Sequence, residues 1–326
     1  MKVKASAPGK AIVTGEHAVV YGEPAIATAI GRRVCSTVWP RTDRVVMVVS
    51  RDQQLTTTTS VDATDVGTAV RCEDPLAPIA RVVCRSLQEL GESRGVEVHT
   101  SSDIPMAAGL GSSAAALVSA TAAVMLLYSN RLDRETVCRI AHEGEKLIHV
   151  NPSGIDDHIS TYGGMIYYRS SEGFRQIITR LQGLPLVIGN TGKSRPTGTL
   201  VKNVRERLSE HPEDYEIIRQ IGRQSLSALD AIQRGDLKGL GETMIANHSL
   251  LRSLGVSTRE LDILVEVAIR AGALGAKLTG AGGGGCMIAL VEEVRMKEVQ
   301  EALKSAGAQV IYSKGKAEGV VACQAE

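Results

Sequence analysis

Apolar and β-branched residues fall into short runs over the first third of the chain. They are Ala11–Val13, Ala18–Tyr21, Val34–Trp39 and Arg44–Val49, the last continuing into a threonine-rich stretch at 56–59 with alternating character. Patterning of this kind predicts strands. The period then lengthens. Leu76, Ile79, Ala80, Val83, Leu87 and Leu90 recur at helical spacing and predict a helix over Leu76–Leu90. Val96–His99 reads as a strand that leads into a Gly-rich loop at 109–111, and a helix follows to about Tyr128. That helix is apolar all round and is therefore expected to be buried. Asp133 caps a further helix with Val137, Ile140, Ala141, Gly144, Leu147 and Ile148 on one face.

The texture changes between 164 and 190, where strand-like Met165–Tyr168, an exposed turn at 170–173 and strand-like Leu184–Ile188 succeed one another. Amphipathic helices are predicted at about 199–208, 213–234, 236–254 and 257–272. A strand–Gly-loop–strand (Ala276–Leu278, then Cys286–Val291), a helix near 295–306 and strands at 309–312 and 319–323 complete the chain. Helices packed on antiparallel strands give an α+β class in both halves. The length of 326 residues suits roughly two domains, and the boundary is placed near 180, giving units 1–180 and 181–326.

Composition narrows the field. Lys and Arg number 37 against 36 Asp and Glu, a balance of +1 that argues against a surface built to coat a polyanion. Aromatics are 3% of the chain, with one Trp (Trp39) and one Phe (Phe174), so a base-stacking platform for nucleic acid is not expected. The six cysteines include no CxxC pair and the histidines form no HExxH, which leaves no zinc signature. Pro8, Gly9 and Lys10 interrupt any leader-like apolar run, and the stretch Ala114 to Leu127 is broken by Ser119 and Thr121. A soluble, cytoplasmic protein with reduced thiols and no membrane partner is the expectation.

Three segments hold the chemistry. The first is Pro105-Met106-Ala107-Ala108-Gly109-Leu110-Gly111-Ser112-Ser113-Ala114-Ala115. Two glycines let backbone N–H groups turn toward an anion, and two hydroxyls follow where a helix should begin, an end that favours phosphate. The same residues could be a plain β-to-α turn with Ser112 as N-cap. The segment is not the GxxxxGK[ST] loop: the only Gly-Lys-Ser, at 192–194, has Val187 where the first glycine belongs. The second is Gly280-Ala-Gly-Gly-Gly-Gly285-Cys286, which satisfies GxGxxG but joins strand to strand instead of opening a helix, a poor dinucleotide fingerprint. Close backbone approach to a ligand or to the first loop explains its glycines better. The third runs from Ala7 to His17 and holds Lys10, between a turn and a strand, and the Glu16–His17 pair, which reads either as functional or as a satisfied polar pair.

Carboxylates complete the set. Glu145 lies at the edge of the apolar stripe of its helix, where a charge must face a cleft or find a partner. After it, Asn151-Pro-Ser-Gly154-Ile-Asp156-Asp157 sets an acid just past a turn. Asp156 could cap the next short helix, or serve as base for a substrate hydroxyl with Lys10 beside it. Hydroxyls at the first loop together with Glu145 could offer hard oxygen ligands to Mg²⁺. Combined, these parts describe phosphoryl transfer.

In this order and at these separations the segments resemble the GHMP kinases. The PxxxGLGSSAA signature is matched in full at 105–115. Within the family the likeness is greatest to the mevalonate-phosphorylating branch, through Gly15-Glu16-His17-Ala-Val-Val-Tyr-Gly22, the stretch from Glu145 to Gly164, and KLTGAGGGGC at 277–286. The resemblance implies a two-domain GHMP fold, its N-terminal nucleotide domain containing an unusual left-handed βαβ and its C-terminal half a ferredoxin-like α/β sandwich. It implies ATP as co-substrate, its phosphates wrapped by Pro105 to Ala115, with Ser112 or Ser113 and Glu145 holding Mg²⁺. Asp156 would take the alcohol proton and Lys10 would orient it. Glu16 and His17, and more loosely Asn190 and Thr191, would lie on the side of the acceptor, mevalonate, and the 280–285 loop would back the phosphate loop. A homodimer is also implied. Lys193 and Arg195 could equally meet a carboxylate or a second phosphate. Another GHMP kinase, a non-catalytic sensor that kept the fold, and an oxidoreductase reading of the GxGxxG remain as rivals, separable by acceptor turnover and by ATP against NAD(H) binding.

Overall fold

A computed structural model of the protein describes residues 2–62, 74–105, 108–149, 152–193, 197–313 and 317–325. Eight strands among these residues form the first sheet: β1 (Lys2–Thr14), β2 (Ala25–Pro40), β3 (Val45–Ser50), β4 (Leu55–Ser60), β5 (Val96–Ser102), β6 (Met165–Arg169), β7 (Gly173–Gln176) and β12 (Val321–Ala325). The order is β12-β1-β2-β5-β3-β4, and β6 pairs with the first half of β2 while β5 pairs with the second. All pairs are antiparallel except β3 with β5. Helices α1 (Ala77–Glu89), α2 (Ser112–Ser129) and α3 (Arg134–Ile148) pack together, α2 lying on β1 and β2. α2 has the length and composition to cross a membrane, yet its residues from Ala114 to Leu127 are largely buried, as expected for a core helix apolar on every side. α3 starts as predicted: the Asp133 carboxylate accepts from the Glu135 N–H at 3.1 Å. The short helix α4 (Ile155–Tyr162) follows.

The second sheet holds β8 (Leu186–Asn190), β9 (Gly275–Leu278), β10 (Cys286–Leu290) and β11 (Gln309–Ser313) in the order β11-β8-β10-β9, all antiparallel. Numbered along the chain this is 4-1-3-2, the ferredoxin-like arrangement expected. Its helices are α5 (Thr197–Glu210), α6 (Tyr215–Arg234), α7 (Leu237–Ser253), α8 (Arg259–Arg270) and α9 (Met296–Ser305). One buried apolar cluster runs from Val3 and Leu117 through to Leu186, Ala231 and Ile288, so the two layers share a core.

Three local expectations change. Ala18–Tyr21, read as a strand, is a single 3-10 turn. His17 adopts a φ of 60° there and the Val19 N–H donates to the Gly15 carbonyl at 3.1 Å, so tertiary context overrides the β-branched run. Lys10 is not at a strand start but well inside β1, where the register with β2 shifts between Pro8 and Lys10. The last strand does not stay with residues 181–320: β12 returns to pair with β1 and covers what would be an open sheet edge. Arg33 fixes that return by donating to the Glu318 and Gly319 carbonyls at 2.9 and 2.7 Å.

Buried histidines give the fold an acid limit. His158 of α4 stacks on Phe174 at 4.1 Å between ring centroids, and burial pushes its pKa down to about 4. Burial, followed by the charge of Lys277, does the same to His248. An unfolded histidine titrates near 6.5. Between pH 6.5 and 4 the unfolded chain therefore binds protons that the native state refuses, and stability falls as pH falls. Urea titrations should show a decline of up to about 1.4 kcal/mol per pH unit for each such histidine. His158→Phe, which keeps the ring stack, should give a shallower decline; an unaltered slope would show that His158 protonates freely in the native state.

Candidate active site

The first glycine loop ends in the N-terminus of α2. Gly111, at φ 73°, caps the helix, and no side chain closes the cap. Ser112 is therefore the first helical residue and not the N-cap. The leading N–H groups of α2 and its dipole are left facing outward, where they favour an anion. Pro105 and Ala108 to Ala115 all belong to this feature; Met106 and Ala107 lie outside the described residues. The loop is tied to β1, since the Lys10 N–H donates to the Leu110 carbonyl at 2.8 Å. A Cβ on Gly111 would stand 2.8 Å from Lys10 Cγ, so the residue must lack a side chain on steric as well as conformational grounds. Ser112, Ser113 and Ala116 also form one end of a cleft of about 220 Å³ whose other walls include Leu76, Ile79 and Ile148.

Three acids gather beside this helix end, each in a different setting. Asp156 sits in the first turn of α4, past Pro152-Ser153-Gly154; Asn151 lies outside the described residues. Its Oδ1 is 3.3 Å from Lys10 Nζ, and about a third of its side chain is exposed while Lys10 is buried. Asp157, its neighbour, points inward. It is 1% exposed, its Oδ2 is hydrogen-bonded to His142 Nδ1 at 2.9 Å, and burial, then the charges of Glu145 and Asp156, push its pKa up to about 8. Of the two aspartates, only Asp156 can meet a substrate.

Glu145, near the end of α3, is 2% exposed. Burial and then the Asp156 charge raise its pKa to about 7, against the opposing pull of the Ser113 hydroxyl and Lys10. His149 Nε2 stands 3.6 Å from Oε2, but Oε1 has no hydrogen-bond partner among the described residues. An orphaned buried carboxylate oxygen beside a serine hydroxyl and an uncapped helix N-terminus fits a hard divalent cation. Mg²⁺ keeps several waters and substrate oxygens, so so few protein donors suffice. Ser113 is the serine beside Glu145, a distinction the spacing alone leaves open.

The second glycine loop lies against the first. Gly280 and Gly285 approach the Gly109 and Ala108 carbonyls so that added Cβ atoms would stand 3.5 and 3.4 Å away, and a Cβ on Gly282 would overlap the Val256 carbonyl at 2.1 Å. All five glycines have positive φ. Asn190 and Thr191 brace this loop instead of reaching out: the Thr191 hydroxyl donates to the Gly285 carbonyl at 3.0 Å, and Asn190 Oδ1 accepts from the Gly192 N–H at 3.0 Å. Lys193 pairs with Glu260 at 2.5 Å, and Arg195 lies outside the described residues. Glu16 and His17 come to the same seam from the N-terminal layer, His17 Nε2 donating to the Ala281 carbonyl at 2.8 Å. Burial lowers the pKa of His17, opposed by that bond and by the charge of Glu16.

Comparison with known proteins identifies the family. A family model described as GHMP kinases N terminal domain matches residues 77–164, and one described as GHMP kinases C terminal matches residues 228–309. The mevalonate kinase of Thermococcus sibiricus is 40% identical over 333 residues, with 98% of each chain covered. The chain belongs to the GHMP kinase family. The mevalonate kinase of Pyrococcus furiosus is 39% identical over 334 residues, again covering 98% of each chain. Among solved structures, Methanococcus jannaschii mevalonate kinase aligns with a TM-score of 0.85 at 27% identity, over 97% of this chain and 98% of that one. L. major mevalonate kinase in complex with R-mevalonate aligns at 0.80 and 29% identity, over 95% of this chain and 94% of that one. The residues of this GHMP kinase that sequence reasoning passed over are Lys277, Thr279, Asn247 and His142; only the first two lie in a segment already singled out, KLTGAGGGGC.

Gly111→Ala tests the loop. An Ala at positive φ costs about 1–2 kcal/mol, and its methyl group would displace Lys10. Denaturant titration should register a loss of at least about 1 kcal/mol, with reduced phosphoryl transfer. Unchanged stability together with unchanged turnover would show that the loop and Lys10 are not packed this tightly.

Proposed function

We propose that this GHMP kinase transfers the γ-phosphoryl group of ATP to the 5-hydroxyl of mevalonate, with Asp156 as general base. The observation that carries the reaction type is the 3.3 Å Lys10–Asp156 pair standing beside the open N-terminus of α2. The acceptor assignment draws on the full-length similarity to mevalonate kinases. Loop 105–115 binds the phosphates through its backbone N–H groups, and the cleft beside Ser112 and Ser113, with its apolar walls, takes the nucleoside end. Glu145 and Ser113, with Ser112 next to it, are the residues that would hold Mg²⁺, which when bound neutralises charge on the transferred phosphate.

Asp156 accepts the proton of the acceptor hydroxyl. The oxygen attacks the γ-phosphorus, the bond to the β-phosphate oxygen breaks, and ADP leaves. Lys10 keeps Asp156 aimed and offsets negative charge as it develops. Glu16 and His17 form the acceptor side of the cleft, with Asn190 and Thr191 supporting the loop across from them.

Mg²⁺-dependent ADP release with mevalonate, galactose and homoserine as separate acceptors, and ³¹P NMR of the product, test this reading. Turnover on mevalonate giving the 5-phosphate is expected; turnover on another acceptor alone removes the substrate assignment. Asp156→Asn should lower kcat by about 10²-fold or more while ATP affinity is nearly unchanged, in line with general-base contributions. An unaffected kcat would move the base elsewhere.

A further inference from the structure

Lys277 of β9 is completely buried. A lysine reaches such a place only with a partner, because an unpaired buried ammonium is strongly disfavoured. The partner comes from the other layer. Lys277 Nζ forms a close ion pair with Glu16 Oε1 and donates to the Leu278 carbonyl at 2.5 Å. The second oxygen of Glu16, Oε2, accepts from Asn247 Nδ2 of α7 at 3.1 Å. Both carboxylate oxygens of Glu16 are thus committed inside the protein, in a residue only 4% exposed. With one contact on each oxygen and almost no exposed surface, the carboxylate is turned into the protein and away from an acceptor hydroxyl.

The pair is one end of a longer seam. Two residues past Lys277, the Thr279 hydroxyl donates to the Ile12 carbonyl at 3.0 Å and accepts from the Ile12 N–H at 2.9 Å. Two residues further, the Ala281 carbonyl takes the His17 hydrogen bond. β1 and the turn after it are therefore pinned to the second sheet at Ile12, Glu16 and His17, and the same strand carries Lys10.

We propose that Lys277 and Asn247 are positioning residues for acceptor binding, which hold Glu16, and through it His17, at a set distance from the phosphate loop, and that Glu16 acts through this clamp without touching the acceptor. The inference rests on the reading of residues 16–17 as the acceptor side. It predicts selectivity between the two substrates. Loosening the clamp should move the acceptor wall but leave the α2 N-terminus, which is held by Lys10 and Leu110, where it is.

The test is a double-mutant cycle read on both KM values, with Lys277→Met, Glu16→Gln and the pair combined, each checked for folding by circular dichroism. Lys277→Met alone should raise the mevalonate KM roughly tenfold while the ATP KM stays within about threefold. In the Glu16→Gln background, the same lysine change should alter the mevalonate KM by less than about threefold, because the neutral pair leaves no unpaired charge. Multiplicative effects of the two substitutions would overturn the proposal, since Glu16 would then act independently of Lys277. So would a fall in thermal stability with both KM values unchanged, which marks a purely structural pair. Should Lys277→Met fail to fold, Asn247→Ala leaves the ion pair in place; it should raise the mevalonate KM about threefold with the ATP KM unchanged, and an unchanged mevalonate KM overturns the proposal. Wild-type protein that fails to turn over mevalonate removes the acceptor reading and this inference with it. Normal wild-type turnover with multiplicative effects removes this inference alone.

Discussion

Lys10 is fixed at both ends, and the site is built around that fact. Its backbone N–H is tied to the Leu110 carbonyl at 2.8 Å and its ammonium group reaches Asp156 at 3.3 Å. One residue thereby joins β1, the phosphate loop and the first turn of α4, three segments far apart in sequence. Gly111 has no side chain because Lys10 fills the space a Cβ would take. Asp156 and the N-terminus of α2 are consequently held in one geometry by packing, before any substrate arrives. This is the preorganisation phosphoryl transfer depends on, since the protein has little covalent chemistry to perform.

The surrounding carboxylates show how environment assigns different tasks to one chemical group. Glu145, Asp156 and Asp157 lie close enough for their charges to act on one another. Among the described residues Lys10 is the lysine paired with this group, and it faces Asp156. Asp157 is withdrawn into the core and joined to His142, where burial favours its protonated form. Glu145 keeps one oxygen unsatisfied at the edge of the phosphate site. Leaving such an atom unpaired costs on the order of 1–3 kcal/mol, and a cation there would recover it. A neutral inner acid and, on the proposed reading, a cation ligand and an exposed base thus arise from three carboxylates without any difference in intrinsic acidity large enough to matter.

Much of this was legible in sequence because it rests on local constraints. A glycine pair followed by Ser112-Ser113 and an apolar helix can hardly be anything but a tight turn into a helix N-terminus, and Asp133 capped its helix by a rule that needs no tertiary information. The helices after residue 197 followed from their periodicity. What could not be read were the consequences of long-range packing. Ala18–Tyr21 has the residues of a strand but lies on a turn set by His17 and Gly22. Lys10 looked like a residue beside a turn because Pro8 and Gly9 precede it, whereas a register shift carries β1 straight through them. β12 could be seen as a strand, but its partner, three hundred residues earlier, could not.

The acceptor side demanded the most from structure. Glu16 and Lys277 are 261 positions apart and neither carries a local signal of its partner. Sequence resemblance places Glu16 near the acceptor without saying whether it touches the substrate or holds something that does. Burial separates those alternatives: a carboxylate held by Lys277 and Asn247 and almost wholly buried is turned away from the substrate. A buried ion pair contributes little net stability over a well-packed apolar pair, yet removing one partner is severe because the other charge is left uncompensated. Such a contact is better suited to fixing the relative placement of two layers than to holding them together, a task already met by the apolar core they share. The charge at Glu16 then specifies where β1 ends against the second sheet, while the hydrophobic contacts specify only that it ends there.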